Sequence, residues 1–177
     1  MLGEAVKKEK GGMVEEHFDT TIDLDIDAYL PETYVASEEQ RLDLYKRIAL
    51  IDSEEGRDEM LDELIDRFGE PSRSVQNLLF IAMLRMEAHK AFVTDIVQRP
   101  EEIVFTLFER AAIDASGIPA VIEKNKPYVT FTADAKHPAF HYFYKKNSRI
   151  KPKDLPDLVM TFVKELQGLA LNQKSEN

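Results

Sequence analysis

The chain has 177 residues, 44% of them apolar and 32% charged, the balance of a soluble globular protein able to bury one sizeable core. Its longest apolar run, Leu78 to Leu84, is too short to span a bilayer, and Met1-Leu2-Gly3-Glu4 lacks the basic-then-apolar pattern of a secretory signal. The absence of cysteine removes disulfides, thiolate metal sites and cysteine nucleophiles and fits a reducing, cytoplasmic environment, while a net charge of −10 argues against direct binding of a phosphate backbone.

Met1 to Gly12 joins a short Lys/Glu-rich helix candidate to a Gly-Gly break. Residues 1–18 therefore read as the tail of an upstream element and a linker, 19–171 as the domain, and 172–177 as a frayed tail. Between Glu15 and Glu39 there are nine acids and no lysine or arginine. Such a surface serves solubility, or suits a basic protein partner. Thr21 to Leu30 alternates, with Ile22, Leu24, Ile26 and Ala28 on one face and Asp23, Asp25 and Asp27 on the other, so a half-buried strand is expected up to Pro31. The Asp-x-Asp-x-Asp spacing is that of a calcium loop, but Ala28 stands where such a loop needs glycine and Tyr34 where it needs glutamate.

Ser37 to Ile51 reads as a helix with Leu42, Tyr45, Ile48 and Ala49 inward. Asp52 and Glu55 offer a capping box for a second helix, whose first turn Gly56 weakens. That helix carries Met60, Leu61, Leu64, Ile65 and Phe68 on one face and Glu59, Asp62, Glu63, Asp66 and Arg67 on the other. Gly69 is expected to end it in a left-handed cap, and Pro71 prevents its continuation. Ser72 or Ser74 then caps a third helix to Lys90, apolar on nearly every side and hence central.

After Lys90 the period changes. Val93 to Gln98, Glu102 to Phe108, Tyr128 to Thr132 and Phe140 to Tyr144 are short β-branched or aromatic runs, expected to form an antiparallel sheet. Ala111 to Asn125 is ambiguous, with Pro119 near the start of a short helix. Asp154 is expected to cap a last helix with Leu158, Val159, Phe162, Val163 and Leu166 inward. Helices first and strands later, without regular alternation or internal repeat, make the fold α+β: an N-terminal strand and three helices packed with a small antiparallel sheet and a C-terminal helix.

Catalytic chemistry is hard to find. The seven glycines form no phosphate-cradling loop, and no serine lies in a Gly-x-Ser-x-Gly turn. His137 and His141, with Asp134 nearby, are the one pair with metal-ligand character, and they lack an evident further ligand. A freestanding metal-binding or hydrolytic domain using those histidines is the alternative reading.

The stretch Glu63-Leu64-Ile65-Asp66-Arg67-Phe68-Gly69, followed nine residues after the glycine by Leu78-Leu79, resembles the C-terminal domain of bacterial transcription-repair coupling factors. Ile26-Asp27-Ala28-Tyr29-Leu30-Pro31 and Leu44-Tyr45-Lys46-Arg47-Ile48-Ala49 resemble the same domain. The likeness is specific from Asp19 to Met86 and weak beyond Lys90; Ser72 departs from it, where a second proline is common.

The resemblance implies a regulatory domain that docks on an N-terminal module similar to the excision-repair damage protein. Docking hides the surface that recruits the repair machinery and restrains an ATP-driven DNA motor until stalled RNA polymerase is engaged. ATP and magnesium then belong to the motor, and no cofactor to this chain; contact with the damage-recognition protein and the polymerase is indirect, and neither nucleic acid nor membrane is bound directly. Glu63, Asp66 and Arg67 match the family's docking motif, with Asp62 and Glu59 on the same side, while Phe68, Gly69, Leu78 and Leu79 form its structural part. Two carboxylates one turn apart present a fork to partner arginines. The plainer possibility is that Glu63 and Arg67 pair with each other on a solvated face. A purely structural acidic adaptor for the polymerase is a third reading.

Overall fold

The apolar spacing of the first 90 residues builds a helical layer, and the β-branched runs after it build a sheet. The computed structural model describes residues 17–171; the expected N-terminal helix candidate with its Gly-Gly break and the expected frayed tail lie outside the described residues. In chain order the elements are β1 (Thr21–Asp23), α1 (Glu38–Ala49), α2 (Glu54–Phe68), α3 (Arg73–Lys90), β2 (Val93–Gln98), β3 (Ile103–Leu107), α4 (Ile118–Lys124), β4 (Val129–Thr132), β5 (Ala139–Tyr142) and α5 (Leu155–Gln167). The fold is α+β.

Helix α3 joins two clusters. Its N-terminal half places Val75, Leu79 and Ala82 among Leu30, Val35, Leu44, Ile48, Met60 and Leu64. Its C-terminal half places Leu84 and Ala88 against the sheet and α5, with Ile96, Phe105, Phe140 and Phe162. Leu79, Met83 and Leu84 are buried while Leu78, Phe80 and Ile81 are half-buried, so a helix apolar all round serves both layers.

The sheet runs β1-β2-β3-β5-β4. One apolar row crosses all five strands, Ile22–Ile96–Phe105–Phe140–Phe131, and faces the helices. The strands β2 to β5 pair antiparallel as expected, but β1 pairs parallel to β2, so the sheet is mixed and includes the N-terminal strand. The expected ten-residue strand shrinks to Thr21–Asp23. Asp23 pairs with Val97, one residue from the end of β2, and beyond it no neighbour remains to carry a ladder. The chain crosses to α3 instead: Asp25 N–H donates to Gln98 Oε1 (2.8 Å), Asn77 Nδ2 to Asp27 O (2.9 Å) and Tyr29 N–H to Ser74 O (3.2 Å). The burial alternation from Thr21 to Leu30 survives without the strand.

Three local expectations shift. In α1 the buried residues are Leu44 and Ile48, with Leu42 and Ala49 exposed, because a second apolar stripe on that helix points Tyr45 at Leu30, whose N–H it accepts at 2.7 Å. Helix α2 is capped by Ser53 and not Asp52: Ser53 is extended and its Oγ accepts from Gly56 N–H at 3.0 Å. Asp154 precedes α5 but takes the Lys151 N–H (3.2 Å) and not a helical one. Within α5, Val159, Phe162, Val163 and Leu166 are buried, and Leu158 only half so.

At the end of α3, Phe92 adopts φ 59°, a left-handed position that favours glycine. Its carbonyl accepts from Phe108 N–H at 2.8 Å, and its ring lies 6.1 Å from Phe18. Phe18, assigned to the linker from sequence, stacks on His89 at 4.3 Å and Phe108 at 5.0 Å.

Candidate docking face on the second helix

The spacing of α2 places Glu59, Asp62, Glu63 and Asp66 along the side opposite Leu64, which is fully buried. The hairpin that presents this side is fixed by the same residues that carry the sequence motif. Gly69 has φ 88° and ψ −170°, an extended positive-φ conformation that is essentially restricted to glycine, rather than the expected left-handed helical one. A Cβ there would meet nothing within 4 Å, so the requirement is conformational and not steric. Tyr34 Oη donates to Gly69 O at 2.7 Å, and its ring packs 5.7 Å from Phe68. The Arg67 guanidinium lies 4.9 Å from the Phe68 ring centre.

Glu63 is not a free carboxylate. Arg47, from α1, holds it in a two-point contact, Nη1 to Oε2 at 2.7 Å and Nη2 to Oε1 at 2.6 Å, and Arg67 Nη1 adds a bond to Oε2 at 2.8 Å. The hydrogen bond from Arg47 is the main reason that the Glu63 carboxyl is lowered to about 2, with Arg67 adding to it. The structure therefore contains the expected Glu63–Arg67 pair and a stronger one with Arg47. Among the described residues, no hydrogen bond or ion pair engages Glu59, Asp62 or Asp66, all exposed. The carboxylates available one turn apart are Asp62 and Asp66, with Glu59 beside them. Arg47 went unnoticed as a site residue because sixteen positions separate it from Glu63 and only the α1–α2 packing brings them together.

Replacing Glu63 by glutamine is expected to cost less than about 1 kcal/mol at neutral pH, since the group is 31% exposed and water screens the pairs. Its folded value lies below its unfolded one, so the stabilisation is complete above pH 4.5 and is lost as pH falls from there toward about 2. Urea midpoints of wild type and Glu63→Gln should thus differ at pH 7 and converge near pH 2. A gap of equal size at both would mean the Arg47 contact is not ionic.

The two histidines stand apart. His141 Nδ1 lies 3.2 Å from Glu102 Oε2 and its Nε2 3.0 Å from Thr132 Oγ1, so both ring nitrogens are engaged. His137 precedes β5, exposed, with Nδ1 3.9 Å from Asp134. Asp134 itself accepts the backbone N–H groups of His137 and Lys136 (both 2.9 Å), which lowers its carboxyl. Among the described residues, no group of three or more His, Asp or Glu could hold a metal ion, and no helix is long and apolar enough to cross a membrane.

A family model described as the TRCF domain matches residues 24–118, more than half of the chain. The transcription-repair-coupling factor of Bacillus subtilis (strain 168) is 36% identical over 118 residues, 66% of this chain and 10% of that protein. That of Mycobacterium tuberculosis (strain CDC 1551 / Oshkosh) is 38% identical over 82 residues, 46% of this chain and 7% of that protein. The chain thus spans about a tenth of the length of the curated relatives it matches. A crystal structure of the C-terminal domain of a transcription-repair coupling factor has the same fold, with a TM-score of 0.71, 24% identity, and coverage of 85% of this chain and 93% of that one.

Proposed function

Because the chain belongs to the TRCF domain family of transcription-repair coupling factors, we propose that it is a regulatory docking domain and that the acidic side of α2 is its contact surface. The partner in this reading is the parent protein's own N-terminal module, the one similar to the excision-repair damage protein. Docking masks the surface that recruits the repair machinery and restrains the parent's ATP-driven DNA motor in the cytoplasm until stalled RNA polymerase is engaged. The domain itself performs no chemistry; ATP and magnesium act in the motor.

The observation that supports this reading most is the row of unengaged carboxylates, Glu59, Asp62 and Asp66, on a helix whose end is fixed by the Arg47–Glu63–Arg67 contact and by Gly69. A rigid acidic row offers point-to-point attraction to arginines at low ordering cost. Residues 38–68 hold eleven acids and five cations, which selects a basic partner. Titration of this chain into the isolated N-terminal module tests the reading; no heat and no co-elution would refute it.

The chain should neither hydrolyse ATP nor retard duplex DNA at physiological salt. The densest run of exposed cations is Lys145, Lys146, Arg149, Lys151 and Lys153, after β5. Five such charges in a chain of net charge −10 do not sustain backbone binding once salt competes. Phosphate release above a blank, or a mobility shift at 150 mM salt lost on replacing those five residues by alanine, would contradict this.

A further inference from the structure

The outer strands of the sheet are β1 and β4, and their edges are guarded differently. Strand β1 is three residues long and ends in Asp23, with Asp25 and Asp27 beyond it. A short, acidic edge of that kind repels a further strand. Strand β4 is Val-Thr-Phe-Thr, β-branched or aromatic at every position, with no charge and no proline from Tyr128 to Ala133. Thr130, Thr132 and Ala133 are exposed.

The pairing of β4 with β5 decides which of its main-chain groups are free. Tyr128 stands opposite Phe143 and its carbonyl accepts the Phe143 N–H at 2.8 Å. Tyr128, Thr130 and Thr132 therefore turn their N–H and C=O groups toward β5, and Val129 and Phe131, alternating with them, turn theirs outward. Among the described residues, no backbone hydrogen bond from outside the sheet meets those outward groups. The side chains of the same two residues face the helix layer, Val129 buried and Phe131 half-buried.

We propose that this edge is self-complementary: β4 pairs antiparallel with β4 of a second copy, about a two-fold axis centred on Thr130. Val129 of each copy then faces Phe131 of the other, each pair exchanging both its hydrogen bonds, and the two five-stranded sheets become continuous. Antiparallel pairing also sets the start of each strand beside the end of the other. Lys126, exposed and held by its own Glu123 at 2.6 Å, comes beside the exposed Asp134 of the second copy. An axis on Phe131 would bring Lys126 toward Lys136 and press two phenylalanines together. An axis on Val129 would leave Phe131 facing Pro127, which has no N–H to donate. The electrostatic cost is low here: residues 118–137 hold three cations and two acids, near neutrality in a chain of net charge −10. Strand β4 packs in the sheet cluster and α2 in the helical one, so this pairing is independent of the docking reading above.

The chain has no cysteine, so single cysteines report the register. The test uses Thr130→Cys, Thr132→Cys and Thr130→Lys, all at exposed positions, with thermal melts to check that each folds like the wild type. In the proposed pair the two Thr130 Cα atoms lie about 4.5 Å apart, within disulfide range, and the two Thr132 Cα atoms about 14 Å apart. Mild oxidation should therefore cross-link Thr130→Cys into a dimer and leave Thr132→Cys largely monomeric. In sedimentation the wild type should dimerise as concentration rises, and Thr130→Lys should weaken dimerisation by about tenfold or more, because two ammonium groups then meet across the axis. A wild type still monomeric at about 1 mM would overturn the proposal, as no specific pairing survives at that affinity. Equal cross-linking at the two positions, or at neither, would overturn the register. A dimer that Thr130→Lys leaves intact would place the contact elsewhere and overturn it as well.

Discussion

Leu79→Ala is expected to lower the unfolding free energy by roughly 2–5 kcal/mol, the cost of deleting a buried leucine side chain and leaving a cavity. Leu79 is buried at the point where α3 passes from the helical cluster toward the sheet, and it packs with Leu44, Leu64 and Val75. Helix α3 is shared by both clusters, so the site has little freedom to collapse onto the void. Urea melts should show a lower midpoint with an unchanged slope. The control is Leu42→Ala, on a solvated face, where a change within about 0.5 kcal/mol is expected. A loss under about 1 kcal/mol at Leu79 would mean that α3 is not the element joining the layers.

The largest effect on binding is expected from reversing Asp62 and Asp66 together to lysine. Both are exposed and unengaged, so stability should scarcely change, whereas an attractive pair of charges becomes a repulsive one at the interface. Glu63 is the poorer test: its reversal also breaks the contacts to Arg47 and Arg67 and would place three cations together. On the docking reading proposed above, the double reversal in the intact parent should shift the docked–undocked equilibrium by about five- to a hundredfold, the range of a 1–3 kcal/mol coupling. The motor's ATPase without polymerase should rise accordingly, and the repair-recruiting surface should become accessible to its partner.

What could be read from the sequence was what local chemistry decides. The end of α2 follows from Phe68, Gly69 and Pro71, and the strands after Lys90 from their β-branched runs, because each signal lies within a few residues of its effect. The unread features depend on distant partners. The parallel pairing of Thr21 with Asp95 joins residues far apart in the chain, and Thr20 Oγ1 donating to Val93 O (2.8 Å) anchors the same junction. The sequence turned Leu42 and Ala49 of α1 inward with Tyr45 and Ile48, whereas the packing buries Leu44 and Ile48 and sends the Tyr45 hydroxyl to the Leu30 N–H. The sequence marked the acidic side of α2 but not how its charges are engaged: Arg47 arrives from another helix and ties up Glu63, while Asp62 and Asp66 stay exposed and unengaged.

The most direct test of docking is calorimetric titration of the wild-type chain and the Asp62→Lys/Asp66→Lys variant into the parent's N-terminal module, each at low and at physiological salt. The account predicts saturable binding by the wild type that weakens as salt rises, and none by the folded double variant. Equal affinity for the two chains would contradict it, and would leave the acidic side of α2 as an ordinary solvated surface.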